Sequence, residues 1–155
     1  MSHSIEIVDF KDEYATAFHD LNKKWLIKYF EIEPIDEKML TNPVKYYIEP
    51  GGHIYFAKMD NDIVGTFALL RVEDGVYELS KMAVAEEHQG KKIGNKMLEF
   101  CLKKASDSNW KEVILYSNRI LEPALHLYRK YGFEEVPMER SDYKRSNIKM
   151  SKRFS

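Results

Sequence analysis

Cysteine, long apolar runs and an excess of either charge are what this sequence lacks. The 155-residue chain has one cysteine, Cys101, which excludes an intramolecular disulfide and a metal centre made only of cysteines. So little cysteine is typical of a reducing compartment, and we expect a cytoplasmic location. No stretch approaches the roughly 18 consecutive apolar residues of a membrane span. Met1–Phe10 has neither the basic segment nor the apolar run of a signal peptide. We therefore expect no membrane partner.

The charges of the chain are nearly balanced. Lys and Arg total 24 against 25 Asp and Glu, which gives a formal net charge of -1. Because no basic excess is available to neutralise phosphates, the composition argues against a nucleic-acid partner. Hydrophobic residues make up 44% of the chain, which is typical of a globular protein. No repeat or linker divides the sequence, so we predict a single domain over residues 4–155.

Two periodicities predict the secondary structure. Alternation of apolar and polar residues and short apolar runs predict strands over residues 4–10, 53–59, 63–72, 76–84, 112–117, 133–136 and 147–150. Apolar residues spaced three to four positions apart predict helices over residues 14–29, 35–40, about 91–104 and 124–131. Strands grouped first, followed by helix–strand–helix–strand, are typical of an α/β (α+β) domain.

The segment Tyr77–Leu98 places a polar loop between a strand and a helix that begins around Lys91. Small or polar residues crowd the first helical turn, namely Gln89, Gly90 and Gly94. Such residues leave backbone N–H groups accessible at the positive end of the helix dipole, which suits a pyrophosphate. Positive charge is added by Lys91, Lys92 and Lys96. A solvated basic helix start explains this segment equally well when it is considered alone.

A second pattern follows a predicted strand in the segment Leu115–Val136. One side of its helix is formed by Ala124, Leu127, Tyr128 and Tyr131. Gly132 follows as is typical of a helix C-terminus. On its own, a tyrosine in the apolar stripe of a helix is typically a core residue. This segment considered alone therefore indicates structure rather than chemistry.

Taken in this order, the two segments resemble the GNAT superfamily of acetyl-CoA-dependent N-acetyltransferases, and a small bacterial-type member in particular. The first signature of that superfamily, R/Q-x-x-G-x-G/A, corresponds to Gln89–Gly94. The second, A-x-x-L-Y-x-x-x-G-F, is matched at every specified position by Ala124, Leu127, Tyr128, Gly132 and Phe133. Lys92 departs from the first signature, because it stands where the superfamily often has glycine. The resemblance implies a mixed, mostly antiparallel central sheet flanked by about four helices.

The resemblance also implies where acetyl-CoA binds as cosubstrate. Pantetheine would lie between the end of the strand 76–84 and the strand ending at Ser117, with a backbone N–H near Met82 polarising the thioester carbonyl. Asn118 would contact the pantetheine arm, although a turn residue after a strand is an equally good interpretation. The implied cofactor-binding residues are Met82, Ala83, Val84, Gln89, Gly90, Lys91, Lys92, Ile93, Gly94, Asn95, Asn118, Leu127 and Tyr128.

Two residues are implied to be catalytic. The reaction is direct attack of an amine on the thioester, so a base must remove a proton from the ammonium. Glu78 stands where histone-acetylating members carry their catalytic Glu, and burial would raise its pKa toward the working range. A structural or substrate-binding role for Glu78 stays open. Tyr128 is the superfamily's usual general acid, which would protonate the departing thiolate.

Metal and cysteine chemistry are not expected. The five histidines show no metal-ligand spacing, so we predict a protein without a metal. Cys101 lies in the middle of a predicted helix and is expected to be a small core residue rather than a nucleophile.

The acceptor is the least determined part of the sequence interpretation. In this fold the first two helices help to form the substrate groove, and that region is aromatic and acidic: Trp25, Tyr29, Phe30, Glu31, Glu33, Asp36, Tyr46 and Tyr47. Such walls would suit a cationic amine through ion pairing and cation–π contact, although aromatic residues of an amphipathic helix are more often core. We expect a small or amino-acid-like amine as acceptor, with a peptide amine still open.

Three functions are compatible with these features. We favour an acetyl-CoA-dependent N-acetyltransferase, with a non-catalytic acyl-CoA-binding or regulatory module on the same fold as the alternative. A nucleotide-binding domain is disfavoured because neither a Walker A loop nor a GxGxxG fingerprint is present. The sequence leaves open whether the protein is a homodimer.

Overall fold

A seven-stranded sheet forms the centre of the protein in a computed structural model, which describes residues 4–154. Its strands are β1 (Ile5–Asp9), β2 (His53–Met59), β3 (Asp62–Glu73), β4 (Val76–Val84), β5 (Glu112–Ser117), β6 (Glu134–Val136) and β7 (Ile148–Arg153). The strand order is β1-β2-β3-β4-β5-β7-β6. The β4–β5 pair is parallel and all other neighbours are antiparallel. The predicted α/β class with a mostly antiparallel sheet is confirmed.

Helices cover both faces of this sheet. They are α1 (Ala15–Tyr29), α2 (Pro34–Thr41), α3 (Ile93–Asp107) and α4 (Glu122–Lys130). One core, which includes Phe67 and Leu98, lies on the side of α3 and α4. The other, which includes Phe18 and Phe56, lies on the side of α1 and α2. The two faces of β3 are thus buried in separate cores, which explains why β3 has a nearly continuous apolar sequence.

The start of α2 is held by a reciprocal cap. Pro34 occupies the first turn, where its missing N–H costs nothing. The Glu33 backbone N–H donates to Asp36 Oδ2 over 2.9 Å, while the Glu33 side chain accepts from the backbone N–H of Asp36. This box fixes two carboxylates at the beginning of α2, where the helix dipole favours negative charge.

Strands β4 and β5 pair along only part of their length. Their register runs from Val76 opposite Glu112 to Leu79 opposite Leu115. Beyond that point β4 continues to Val84 and β5 to Ser117 without pairing, so the two strands separate. At the paired end, the rings of Tyr77 and Trp110 stack with centroids 3.7 Å apart.

A bulge interrupts β4 on its other side. The register between β3 and β4 shifts between Thr66 and Ala68, so Lys81 and Met82 together oppose Phe67. Lys81 adopts a left-handed conformation with φ of 54°. A bulge of this kind bends the strand and redirects its side chains. It therefore turns the Lys81 side chain toward α2 at the point where β4 leaves β5.

Several details differ from the sequence predictions. Helix α3 begins at Ile93 rather than around Lys91, because Lys92 has φ of 61° and cannot belong to a right-handed helix. Val44–Ile48 forms an unpredicted π-helical turn, with Glu49 N–H donating to the Val44 carbonyl over 2.8 Å. No helix within residues 4–154 is both long and apolar enough to cross a membrane.

Candidate active site

A cavity of about 600 Å³ lies where β4 and β5 separate. It is lined by the second half of β4, the end of β5, the loop before α3, and the facing side of α4. The C-terminal half of α1 and residues 143–146, which precede β7, complete the lining. The ends of β4 and β5, which are not paired with each other, thus face the same cavity as the start of α3.

Almost all of the catalytic and cofactor-binding residues inferred from the sequence line this cavity, whereas of the acceptor candidates only Trp25, Tyr29 and Phe30 do. The catalytic and cofactor-binding residues in the lining are Glu78, Met82, Ala83, Val84, Gln89, Gly90, Lys92, Ile93, Gly94, Asn95, Asn118, Leu127 and Tyr128. Lys91 differs, because it is exposed and lies outside the lining, with its Nζ 3.2 Å from Nδ1 of His88. The separation of β4 from β5 explains how residues so far apart in sequence come together.

The start of α3 has the geometry of an open anion-binding site. Lys92, the residue before the helix, makes no capping hydrogen bond through its side chain. The N–H groups of the first turn have no acceptor within the helix. Ile93, Gly94 and Asn95, which carry them, line the cavity at the positive end of the dipole. Gly90 has φ of 84°, which side chains rarely adopt, and a Cβ there would meet nothing within 4 Å.

Gly94 serves a second purpose, which is the close approach of α3 to α4. A Cβ at this position would lie 3.2 Å from Leu127 Cδ2, tighter than an ordinary van der Waals contact. Both residues line the cavity. The glycine therefore lets the first turn of α3 lie directly against the helix that carries Tyr128.

Tyr128 lies on α4 with its ring near that of Phe133, at a centroid distance of 5.9 Å. Burial raises the pKa of its phenol to about 12. The group therefore keeps its proton throughout the physiological range. A protonated phenol that lines a cavity can donate a hydrogen bond or a proton to a group bound there.

Glu78 lies on β4, in the part that still pairs with β5, and is half-buried. Burial raises the pKa of its carboxyl to about 7, with exposed Asp142 acting in the same direction and Lys81 and Lys149 opposing it. No ion pair is formed by Glu78 with any other residue in the described part of the chain. A carboxyl with this pKa changes its protonation state near neutral pH, as a general base should.

Asn118 lines the cavity, but both polar atoms of its amide are engaged. Its Nδ2 donates to the Arg145 carbonyl over 2.6 Å, and its Oδ1 accepts from the Ile120 backbone N–H at 2.9 Å. The side chain therefore joins the end of β5 to the segment before β7. This geometry favours the turn interpretation of Asn118 over a direct bond from its amide to a ligand.

Cys101 is fully buried in the core on the α3 side, which confirms its predicted place. Burial raises the pKa of its thiol to about 12, so the thiolate is not available as a nucleophile. Across residues 4–154, no three His, Cys, Asp or Glu side chains are arranged to hold a metal ion.

A buried ionic cluster that was not expected from the sequence lies beside the cavity. Lys81 Nζ lies 2.8 Å from Asp36 Oδ1 and 2.8 Å from the hydroxyl of Tyr143. Arg145 donates to both oxygens of Asp36, at 2.7 and 2.9 Å, and to Glu33 Oε2 at 3.1 Å. The Tyr143 ring lies close to both cations, with its centroid 4.2 Å from Lys81 Nζ and 4.4 Å from Arg145 Cζ.

Charge within this cluster is balanced, with two cations matched by two carboxylates. Asp36 is completely buried. Burial alone would raise the pKa of its carboxyl, but hydrogen bonds from Arg145 and the charge of Lys81 hold that pKa below its ordinary value. Glu33 and Asp36, which were expected to face a cationic acceptor, are instead bound by the protein's own cations. A capping Glu three residues before Asp was the one signal in the sequence for this site.

Comparisons with known proteins agree with this geometry. The family model "Acetyltransferase (GNAT) domain" matches residues 50–135, which is more than half of the chain. Rat N-acetyltransferase 8F1 is 27% identical over 102 residues, covering 63% of this chain and 46% of that protein. Human N-acetylaspartate synthetase is 33% identical over 98 residues, covering 59% of this chain and 31% of that protein. The chain spans less than half the length of these curated relatives.

Solved structures show the same architecture. A GNAT-family acetyltransferase from Staphylococcus aureus superposes with a TM-score of 0.86 at 22% identity, covering 97% of this chain and 99% of that one. Spermidine N-acetyltransferase from Vibrio cholerae, solved with CoA and spermine, superposes with a TM-score of 0.74 at 16% identity, covering 96% and 95%. At these identities the likeness establishes the fold.

The sheet with one parallel pair, the separated strands and the open start of α3 define an acetyltransferase-type α/β domain. The match of the family model places it further: the chain belongs to the GNAT acetyltransferase family.

We expect Asp36→Asn to lower the free energy of unfolding by about 3–5 kcal/mol, because it leaves Lys81 and Arg145 without their shared buried carboxylate. Urea denaturation at pH 7 measures this loss. Asp107→Asn, which breaks the exposed pair with Lys103, is the control and should cost less than about 0.5 kcal/mol.

The pKa of Asp36 lies below 3.8 in the folded state. The Asp36 carboxylate therefore stabilises the folded state above that pH, and this stabilisation is lost as the pH falls through the folded pKa. Equal, small losses of unfolding free energy in Asp36→Asn and Asp107→Asn would contradict a structural role for the cluster.

Proposed function

We propose that the protein is an acetyl-CoA-dependent N-acetyltransferase that moves the acetyl group to a primary amine by direct attack, with a small or amino-acid-like amine as acceptor. Family membership supports acetyl transfer. The observation that carries the mechanism is that Glu78, with its pKa near neutrality, and Tyr128, which keeps its proton, line one cavity with the open start of α3.

In this proposal the pantetheine arm of acetyl-CoA lies between the separated ends of β4 and β5. In the segment Met82–Val84, which pairs with β3 but not with β5, backbone N–H groups on the β5 side are available to hydrogen-bond the arm and to stabilise negative charge on the thioester oxygen. The pyrophosphate lies at residues 89–95, on the first-turn N–H groups of α3, with the Lys92 ammonium nearby.

The two proton transfers are then assigned to separate groups. The Glu78 carboxylate accepts a proton from the acceptor ammonium, directly or through a water, and frees the amine lone pair for attack. Collapse of the tetrahedral intermediate expels the CoA thiolate, to which Tyr128 donates its proton. The second proton of the attacking nitrogen leaves to solvent as the amide forms, and the Tyr128 phenolate regains a proton from solvent. A phenol with a pKa of about 12 does not ionise before the thiolate forms.

Release of free thiol from acetyl-CoA across a panel of amines tests the function, with CoA binding measured in parallel by calorimetry. Amine-dependent thiol release supports the proposal. Tight CoA binding without turnover on any amine would favour the alternative, a non-catalytic acyl-CoA-binding or regulatory module.

Gly94→Val should weaken CoA binding about tenfold or more, because the added side chain displaces Leu127 and crowds the first turn of α3. Calorimetric titration measures the affinity, and circular dichroism checks that the fold is retained. Lys103→Ala is the control, since this exposed residue of the same helix lies away from its first turn and outside the lining. Wild-type CoA affinity in Gly94→Val would contradict the placement of the pyrophosphate at residues 89–95.

Tyr128→Phe should retain the fold and CoA affinity but lose turnover by ~10²–10⁴-fold, the usual effect of removing a catalytic acid. Single-turnover measurements separate the chemical step from product release. Tyr46→Phe is the control, because Tyr46 is half-buried and lies outside the cavity lining. Equal rates in the two variants would reduce Tyr128 to a packing role.

If Glu78 is the base, kcat/KM should rise with pH through about 7, because only the carboxylate accepts the proton. Glu78→Gln should remove this limb of the profile, and exposed Glu73→Gln should leave it in place. Two amines of different basicity are compared, since deprotonation of the amine itself gives a limb that follows the amine. A limb that moves with the amine and survives in Glu78→Gln would assign Glu78 to binding or structure.

A further inference from the structure

The bulge in β4 places a lysine on the face of the sheet that carries Glu78. Glu78 lies opposite Leu70 of β3, which packs against the core on the side of α1 and α2, whereas Leu79 belongs to the core on the side of α3. Regular alternation along the strand would return residue 81 to the side of Leu79. Because of the bulge, Lys81 reaches α2 instead, where its Nζ lies 2.8 Å from Asp36 Oδ1.

The Lys81 ammonium is fixed in place and shielded from water. Its side chain is only 4% exposed. Besides its bond to Asp36, Nζ donates to the hydroxyl of Tyr143 over 2.8 Å, and the Tyr143 ring centroid lies 4.2 Å away. Lys81, Tyr143 and Glu78 all line the cavity. In such surroundings a fixed charge acts on its neighbours more strongly than it would in water.

The backbone at Lys81 is strained to achieve this placement. Its φ of 54° lies in the left-handed region, which a lysine rarely adopts. Such a conformation persists only where the surroundings hold it, as the bonds to Asp36 and Tyr143 do here. Strain at a residue that lines the cavity, rather than in a surface turn, indicates that the position of this side chain matters for the site.

Charged and titratable groups from several elements face Glu78. They are Lys81 of β4, Tyr116 of β5, Lys149 of β7, Asp142 and Tyr143 of the segment before β7, and Tyr47 of the π-helical turn.

Three of these groups are charged, because burial raises the pKa of each tyrosine and keeps it neutral. Lys81 has the strongest effect of the three on the pKa of Glu78, which it lowers against the effect of burial. Lys149 acts in the same direction and exposed Asp142 in the opposite one, so their effects oppose each other. Lys81 is therefore the main charge that favours the ionised form of Glu78.

We propose that Lys81 is a positioning residue for the reaction: its buried ammonium keeps the Glu78 side chain ionised and so ready to accept the proton of the acceptor amine. This inference rests on the proposed role of Glu78 as base and deepens it. The proton passes from the acceptor ammonium to the Glu78 carboxylate, while Lys81 keeps its own protons and acts only through its charge.

The pH titration of the Glu78 carboxyl, measured by NMR in the free protein, tests the inference together with the pH profile of kcat/KM. In Lys81→Met we expect the midpoint and the limb near pH 7 both to move upward by about half a pH unit or more, because the carboxylate loses the cation that favours it. Well below pH 7 the same shift lowers kcat/KM about threefold or more.

Arg145→Met is the matched control, because it removes the other cation bound to Asp36 and leaves the Lys81 ammonium in place. It should move the Glu78 titration and the limb by less than about 0.2 pH unit, although both variants weaken the same cluster. Lys81→Gln, which can still donate to Asp36, is a second neutral variant in case Lys81→Met does not fold, and it should give an upward shift as well.

An unmoved Glu78 titration in the neutral Lys81 variants, or an equal shift in Arg145→Met, would overturn the inference and leave the proposed function standing. A shifted titration with an unmoved limb of kcat/KM would mean that Glu78 is not the base. That result would overturn the inference together with the proposed role of Glu78.

Discussion

The separation of β4 from β5 is the constraint on which the rest of the site depends. Four residue pairs hold the parallel strands together, and beyond Leu79 and Leu115 their backbone groups are left to other partners. Backbone groups in such a place require hydrogen bonds, so the gap favours a ligand with an extended, amide-rich arm. The start of α3 and the α4 tyrosine are positioned at the edges of this gap by helices that pack on the same side of the sheet.

Charge balance on the opposite side of the sheet is a second constraint. Asp36, Lys81 and Arg145 come from three segments that are distant in sequence, and each alone would be unfavourable where it is buried. Their pairing joins α2, the β4 bulge and the segment before β7 in one unit. Together with Glu33, which also binds Arg145, this pairing neutralises four charges beside the cavity, so the structural cluster also determines the polarity of the cavity.

Much of the fold could be predicted from the sequence because its strands alternate regularly. The bounds of β2, β4 and β5 agree with the alternation, and most residues of both signatures line one cavity. The start of α3 was misplaced because Lys92 adopts a left-handed conformation that side chains rarely adopt. Lys81 and Asp36 are 45 positions apart, and no local pattern reports a pair formed through a bulge. Glu33 and Asp36, at the start of α2, were therefore expected to face a substrate, whereas they bind Lys81 and Arg145.

The stack of Tyr77 on Trp110 closes one end of the β4–β5 pair, while the other end is open. The sheet is consequently two antiparallel portions, β1 to β4 and β5 to β7, that are joined by a short parallel seam. A molecule bound across the open end would extend this seam and become part of the folded structure. The free energy of unfolding would then increase with the concentration of that molecule. At 100 times its Kd the increase is about 2.7 kcal/mol.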